Sequence, residues 1–181
     1  MIAIGIIIAI VLLAAFLYNS LVTSRNRVDE AWSDIEVQLK RRYDLIPNLI
    51  ETVKGYARQE SSVLEGVTQA RAAAMGATGF AEKAKDENML TGALGKLFAV
   101  AEAYPDLKSN QNFMQMQSDL TDTEDKIQAS RRFYNGTVRD FNTKLQVFPT
   151  NLFAGLMGFK VREFFNIDDN GPEAQNPKVQ F

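Results

Sequence analysis

Apolar side chains recur at alternating steps of four and three residues from Val28 to Ala74, and no other feature of the chain limits its fold so strongly. The row is Val28, Trp32, Ile35, Leu39, Arg42, Ile46, Leu49, Val53, Tyr56, Glu60, Val63, Val67, Ala70 and Ala74. That spacing keeps side chains on one face of a packed helix, whereas a strand turns successive side chains to opposite faces. Twelve of the fourteen positions are apolar in a chain that is 46% hydrophobic, so the row marks long helix packed along a seam. The exceptions are Arg42 and Glu60.

Pro47 falls inside the row. A proline in a helix interior removes one backbone donor and clashes with the preceding turn, at a cost of about 3 kcal/mol. The phase of the row is the same on both sides, and the surrounding segment offers no Gly or Asn-Gly turn signal. The spacing therefore predicts a kinked, nearly collinear pair of helices meeting at Pro47, not a tight hairpin. Lys40, Arg41 and Arg42 lie just before it. They read as a solvated face with one seam arginine held by an acid, or as a contact patch for acidic lipid or a partner.

Upstream, residues 1–24 carry no charged side chain, and the apolar run has about the twenty residues needed to cross a bilayer as helix. It lacks the basic start of a cleavable signal peptide, and Tyr18, Asn19 and Ser20 look like an interface leading into the next helix, so an uncleaved anchor is expected over residues 1–23. Arg25, Arg27 and the triplet at 40–42 follow the span and no basic residue precedes it, which favours a cytoplasmic C-terminal domain. The chain has no cysteine, which excludes disulfides, thiol catalysis and lipid attachment through Cys. A net charge of −2 argues against a nucleic-acid partner, which would need a basic face.

After the anchor, one helical domain is expected over residues 24–160, followed by a largely flexible tail at 161–181. Gly76, Ala77, Thr78 and Gly79 suit a chain reversal, and Asp86 is the expected cap of the next helix. Its row is Leu90, Leu94, Leu97, Ala101 and Tyr104, closed by Pro105. Ser109 or Asn110 caps the last long helix, whose row is Phe113, Gln117, Leu120, Glu124, Ile127, Arg131, Tyr134, Val138, Phe141 and Leu145. The predicted fold is all-α: an N-terminal transmembrane helix followed by an elongated antiparallel bundle of three to four long helices.

Four charged residues, Arg42, Glu60, Glu124 and Arg131, stand at seam positions. They are expected to form a buried or half-buried network between helices that sets register and does no chemistry. With neither histidine nor cysteine in the chain, acid–base work would fall to Asp, Glu, Lys or Tyr and a metal site to a carboxylate cluster. Helical di-metal sites pair Glu with Glu-x-x-His, which this chain cannot make. No catalytic residue, cofactor site or metal ligand is predicted. Tyr134–Asn135 and Phe141–Asn142 repeat at seven residues and read as an aromatic ladder in the bundle.

Residues 152–159 form a short apolar piece, with Leu152, Phe153, Leu156, Met157 and Phe159, that is too brief to span a bilayer. It caps the bundle, lies in the membrane interface or meets a neighbouring subunit. The polar stretch 168–178 leads to Val179, Gln180 and Phe181. That end is an ordinary frayed terminus or a ligand for a groove that adds a strand and captures a carboxylate.

Residues 38–49, QLKRRYDLIPNL, followed by Val53, Lys54, Gly55 and Tyr56 and preceded by Tyr18, Asn19, Ser20, Leu21 and Val22, closely resemble the signature of the LemA family of bacterial proteins. The likeness continues through Arg131, Tyr134, Asn135, Val138, Phe141 and Asn142, then Phe148, Pro149, Asn151, Leu152, Ala154, Gly155, Gly158 and Phe159, and covers almost the whole chain. The resemblance implies a bacterial membrane protein with an N-terminal anchor and a helical-bundle domain, and it carries over no catalytic residue. It also implies associations with membrane metalloproteases and, in some lineages, with membrane shaping. Some relatives carry a lipoprotein cysteine near the end of the anchor, placing their soluble domain outside the cytoplasm; here Leu13, Ala14 and Ala15 are followed by Phe16.

The expected function is a non-enzymatic scaffold in the bacterial cytoplasmic membrane, in contact with the lipid bilayer and self-associating through its long helices as a homo-oligomer. The alternative is an adaptor that presents a helical face, or the tail residues Val179 and Phe181, to a membrane protease or another membrane partner.

Overall fold

The structure is a computed structural model that describes residues 2–166; the expectations for Val179 and Phe181 lie outside them. Within the described residues all regular structure is helical: α1 (Ile2–Tyr56), α2 (Ser61–Gly76), α3 (Phe80–Glu102), α4 (Pro105–Lys108), α5 (Gln111–Gln146) and α6 (Thr150–Ala154). The fold is the predicted all-α bundle. Its N-terminal helix is long and apolar enough to cross a membrane, and the large apolar side chains from Ile2 to Phe16 are exposed. The chain forms two compact units, to both of which α1 and α5 contribute.

The unit formed by Val37–Gln128 with Phe165 and Asn166 packs the C-terminal part of α1, α2, α3 and the N-terminal part of α5 as antiparallel neighbours in sequence order. Contacts at two levels fix those directions. Tyr43 of α1 meets Ala74 of α2 and Glu87 of α3, and Arg42 meets Glu124 of α5. At the other level Glu60, before α2, meets Tyr104, after α3, and Asn110, before α5, meets Tyr56 of α1. Between the levels the rows close on one another: Leu39, Ile46, Leu49, Val53, Val67, Leu90, Leu97, Leu120 and Ile127 are all buried. Each such side chain contributes about 1.5–3 kcal/mol. Asn110 caps α5 as expected, its Oδ1 accepting the Phe113 amide at 3.0 Å.

The expected break at Pro47 is absent, because α1 runs through it to Tyr56. The amide missing at Pro47 would have served the Tyr43 carbonyl; Arg71 Nε of α2 donates to that carbonyl at 2.8 Å. Reversal comes instead at residues 57–60, where the Glu60 amide bonds to the Ala57 carbonyl and the Val63 amide to the Glu60 carbonyl, both at 3.1 Å. There is thus no hairpin at Pro47, as the spacing argued, but one falls at residues 57–60, inside the row that was expected to run on as helix to Ala74. The four-three row loses the buried face in this turn, where Tyr56 is exposed and Val63 half-buried while Ala57 and Leu64 are buried, and regains it at Val67. A second correction concerns Asp86. It does not cap α3, which begins at Phe80, and is buried within that helix.

The unit formed by Met1–Glu36 and Ala129–Phe164 pairs the N-terminal part of α1 with the C-terminal part of α5 in opposite directions. Trp32 packs on Tyr134 at 5.5 Å between ring centroids, and Lys144 Nζ donates to Ser24 Oγ at 2.5 Å. Val28, Ala31 and Ile35 are buried with Tyr134, Val138 and Phe141. After α6 an extended segment returns along the helices. The Asn142 side chain holds it at both poles, donating to the Arg162 carbonyl at 2.9 Å and accepting the Arg162 amide at 2.8 Å. Arg162 also pairs with Asp29 at 2.6 Å, and the Tyr134 hydroxyl donates to the Glu163 carbonyl at 3.0 Å. Asn142 thus serves the backbone of this segment, a role beyond the aromatic repeat in which it stands.

Candidate functional site

Two adjacent residues of α1 build the principal polar cluster. Arg42 and Tyr43 both point into the unit that contains Val37–Gln128 because the helix there is covered on two sides, by α2 and α3 and by α5. The Arg42 guanidinium bonds to the Glu87 carboxylate on α3, reaches Glu124 of α5 at 2.6 Å and Thr91 Oγ1 at 3.2 Å. The Tyr43 hydroxyl donates to the other oxygen of Glu87 and lies 3.3 Å from the Ala74 carbonyl. Arg42 and Glu87 are almost wholly buried and Glu124 is about one third exposed, at 32%. Burial, reinforced by the Glu87 carboxylate, raises the Tyr43 hydroxyl far above the ordinary phenol range, so it stays a neutral donor.

The arrangement ties four helices at one level. A buried ion pair recovers its desolvation cost only when further hydrogen bonds satisfy its remaining groups; Tyr43, Thr91 and Glu124 supply most of them, and the buried Arg42 Nε alone in the guanidinium is left without a partner. Glu87 is engaged on both oxygens and closed to solvent, so it offers no free proton acceptor to a substrate. The open side of Glu124 faces a shallow recess lined by Thr91, Leu94, Gly95, Phe98 and Leu120. Among the described residues no group of three His, Cys, Asp or Glu is placed to hold a metal.

The four seam charges are distributed unequally. Arg42 and Glu124 meet directly. Glu60 stands at the start of α2, 3.5 Å from the Tyr104 hydroxyl, at the other level of the same unit. Arg131 belongs to the other unit, that of Met1–Glu36 and Ala129–Phe164. Glu87 and Tyr43 were missed, although one more step back along the α3 row, three residues before Leu90, lands on Glu87. Of the triplet 40–42, Arg42 is buried while Arg41 is half exposed and approaches Asp122 at 3.5 Å. In residues 152–159 the side chains divide: Leu152 and Leu156 are exposed, Phe153 and Met157 half-buried, and Phe159 half-buried against Tyr18 and Phe141.

Known proteins are similar to this chain over most of its length. The chain is 28% identical over 174 residues to magnetosome protein MamQ 2 of Paramagnetospirillum magneticum, covering 82% of this chain and 64% of that relative. It is 26% identical over 194 residues to magnetosome protein MamQ of Magnetospirillum gryphiswaldense, covering 92% and 71%. With protein LemA of Metamycoplasma hominis it shares 29% identity over 168 residues, 87% of this chain and 75% of that relative. The chain therefore spans less than two thirds of the length of the Paramagnetospirillum relative. The LemA family model matches residues 31–181, which take in the polar cluster, parts of both helical units and the segment around α6, and the chain belongs to the LemA family.

Proposed function

We propose that this chain is a non-enzymatic scaffold anchored in the bacterial cytoplasmic membrane by a single N-terminal span and self-associating through its helices. The observation that carries the reading is the continuity of α1. The same helix that exposes apolar side chains from Ile2 to Phe16 buries Leu21, Val28 and Ile35 further on, with no linker between. Such a helix holds its packed segments directly at the bilayer surface, as a structural element requires and a mobile tethered module does not. The charges that sequence reasoning would offer to a reaction are spent on one another at Arg42, Glu87 and Glu124. Apolar side chains available for association remain on the helices, among them Val37, Met114 and Phe133. Two of the relatives carry names that assign them to the magnetosome, and neither name states an enzymatic activity.

The test is the mass and shape of the full-length protein in mild detergent, by light scattering with particle imaging. A particle of several chains is the expected result. A monodisperse monomer overturns self-association and leaves the adaptor reading, with the tail residues Val179 and Phe181 as the first segment to delete.

A further inference from the structure

The fold leaves three large apolar side chains bare around α6: Phe148 is 78% exposed, Leu152 59% and Leu156 88%. They follow α5 and stand outside the core that Thr150 and Ala154 enter from the same short helix. An apolar patch of this kind on a soluble surface marks a contact, and its place within the unit of Met1–Glu36 and Ala129–Phe164 says with what. Leu17 is the first buried position of α1, immediately after the bare run that ends at Phe16. Tyr18 packs edge-to-face on Phe159 at 5.8 Å, just beyond α6, and Lys144 near the end of α5 reaches Ser24. The α6 segment therefore lies beside the turn of α1 at which the span ends. Next to it is a recess lined by Arg25, Lys160 and Arg162 and by no acid, with the Arg25 guanidinium held over the Phe159 ring at 5.7 Å.

We propose that α6 and its flanks form a second membrane contact. Phe148, Leu152 and Leu156 seat in the headgroup and acyl boundary of the bilayer that α1 crosses, and Arg25 and Lys160 face the lipid phosphates. The inference rests on the anchor in the function proposed above. A short apolar piece that cannot span lies in the interface plane, where aromatic rings and cations are both favoured. Leu17 and Tyr18 place that plane at the level of α6. The contact would fix the tilt and rotation of the span, which a lone helix leaves free.

The chain has no cysteine, so single cysteines can be introduced without removing any. Full-length Leu156→Cys, Ile8→Cys and Arg132→Cys variants would each carry an NBD fluorophore in vesicles of phosphatidylcholine and phosphatidylglycerol. The expected result is blue-shifted emission at position 156 that is quenched by lipids brominated near the top of the acyl chain. Deep bromolipid should quench at position 8, and neither should quench at position 132. A label at 156 that behaves like the one at 132 while position 8 is quenched overturns the second contact and leaves the anchor intact. Blue-shifted emission at 156 without lipid quenching overturns it too, because another copy of the chain then covers the patch. Loss of quenching at position 8 overturns the anchor, and this inference falls with it.

Discussion

Arg71 Nε lies 2.8 Å from the Tyr43 carbonyl, the backbone acceptor in α1 that Pro47 leaves without its usual donor. One side chain of α2 thereby repairs a defect in α1. The two helices also share the Tyr43 hydroxyl and the Ala74 carbonyl one turn further along α2. An unsatisfied buried carbonyl costs about 1–3 kcal/mol. Arg71→Met should therefore lower stability to urea by about that amount. In a Pro47→Ala background residue 47 supplies its own amide, and the same substitution should cost about 1 kcal/mol less. Equal costs in the two backgrounds would show that Arg71 acts by packing alone.

The ion pair of Arg42 and Glu87 calls for a different experiment. Removing one partner of a buried pair strands the other and costs about 3–5 kcal/mol, whereas replacing both with apolar residues of similar volume is often neutral. Arg42→Met and Glu87→Leu should each lower the melting temperature sharply. The double variant should recover much of the loss, less the bonds from Tyr43 and to Glu124 that it cannot remake. Thermal unfolding followed by circular dichroism distinguishes this from simple additivity, which would deny that the two side chains depend on each other.

What the sequence disclosed follows from how local each signal is. The four-three rows named most of the core between Val28 and Leu145, with Tyr56 exposed and Trp32 and Val63 half-buried among the departures, because burial of one helix face leaves a periodic trace that needs no knowledge of the partner. The position of the hairpin was hidden. Nothing in the turn at residues 57–60 is Gly, Pro, Asn or Asp, and the donor that lets α1 pass Pro47 comes from Arg71, twenty-four residues away in sequence. Arg42 and Glu124 were legible as polar interruptions of apolar rows. Glu87 lay one step before its row began, and its partnership with Tyr43 depends on α3 lying beside α1, which periodicity alone does not specify. Asn142 was read with the aromatic side chain beside it, although its amide is shaped to pair with an extended backbone.

Alkaline pH should weaken the fold through its buried phenols. Burial pushes the Tyr134 hydroxyl up to about 12, with Asp29 and Glu163 adding to the rise and Arg162 opposing it. In the unfolded chain a tyrosine ionises near pH ~10. The folded state thus holds its proton more tightly, so the contribution is complete below pH ~10 and is lost as pH rises towards about 12. Tyr43 acts in the same direction. Urea midpoints should fall between about pH 9 and about pH 11.5. Tyr134→Phe should be less stable at neutral pH, having lost the bond to the Glu163 carbonyl, yet decline less steeply. Parallel declines would mean that Tyr134 keeps an ordinary pKa in the fold.

At Arg162 the extended segment after α6 is pinned by one side chain of α5. Asn142 gives the Arg162 backbone both a donor, at 2.9 Å, and an acceptor, at 2.8 Å, the pairing a neighbouring strand would offer. No strand is present among the described residues, so the amide side chain stands in for one. Leucine at this position keeps the volume and the helix propensity and removes both bonds, which together contribute about 1–3 kcal/mol. The Tyr134 bond to the Glu163 carbonyl remains on the next residue, and so does the Asp29–Arg162 pair, but that pair is solvent-exposed on both sides and such pairs are worth at most about 1 kcal/mol. Local opening should therefore become easier without global unfolding. In Asn142→Leu the Arg162 amide should exchange with deuterium roughly tenfold faster or more, while amides in the core of α3 keep their protection. If the Arg162 amide exchanges at its original rate, the segment is held by burial of its side chains and not by Asn142. If α3 loses protection as well, the pin is part of global stability and not a local latch.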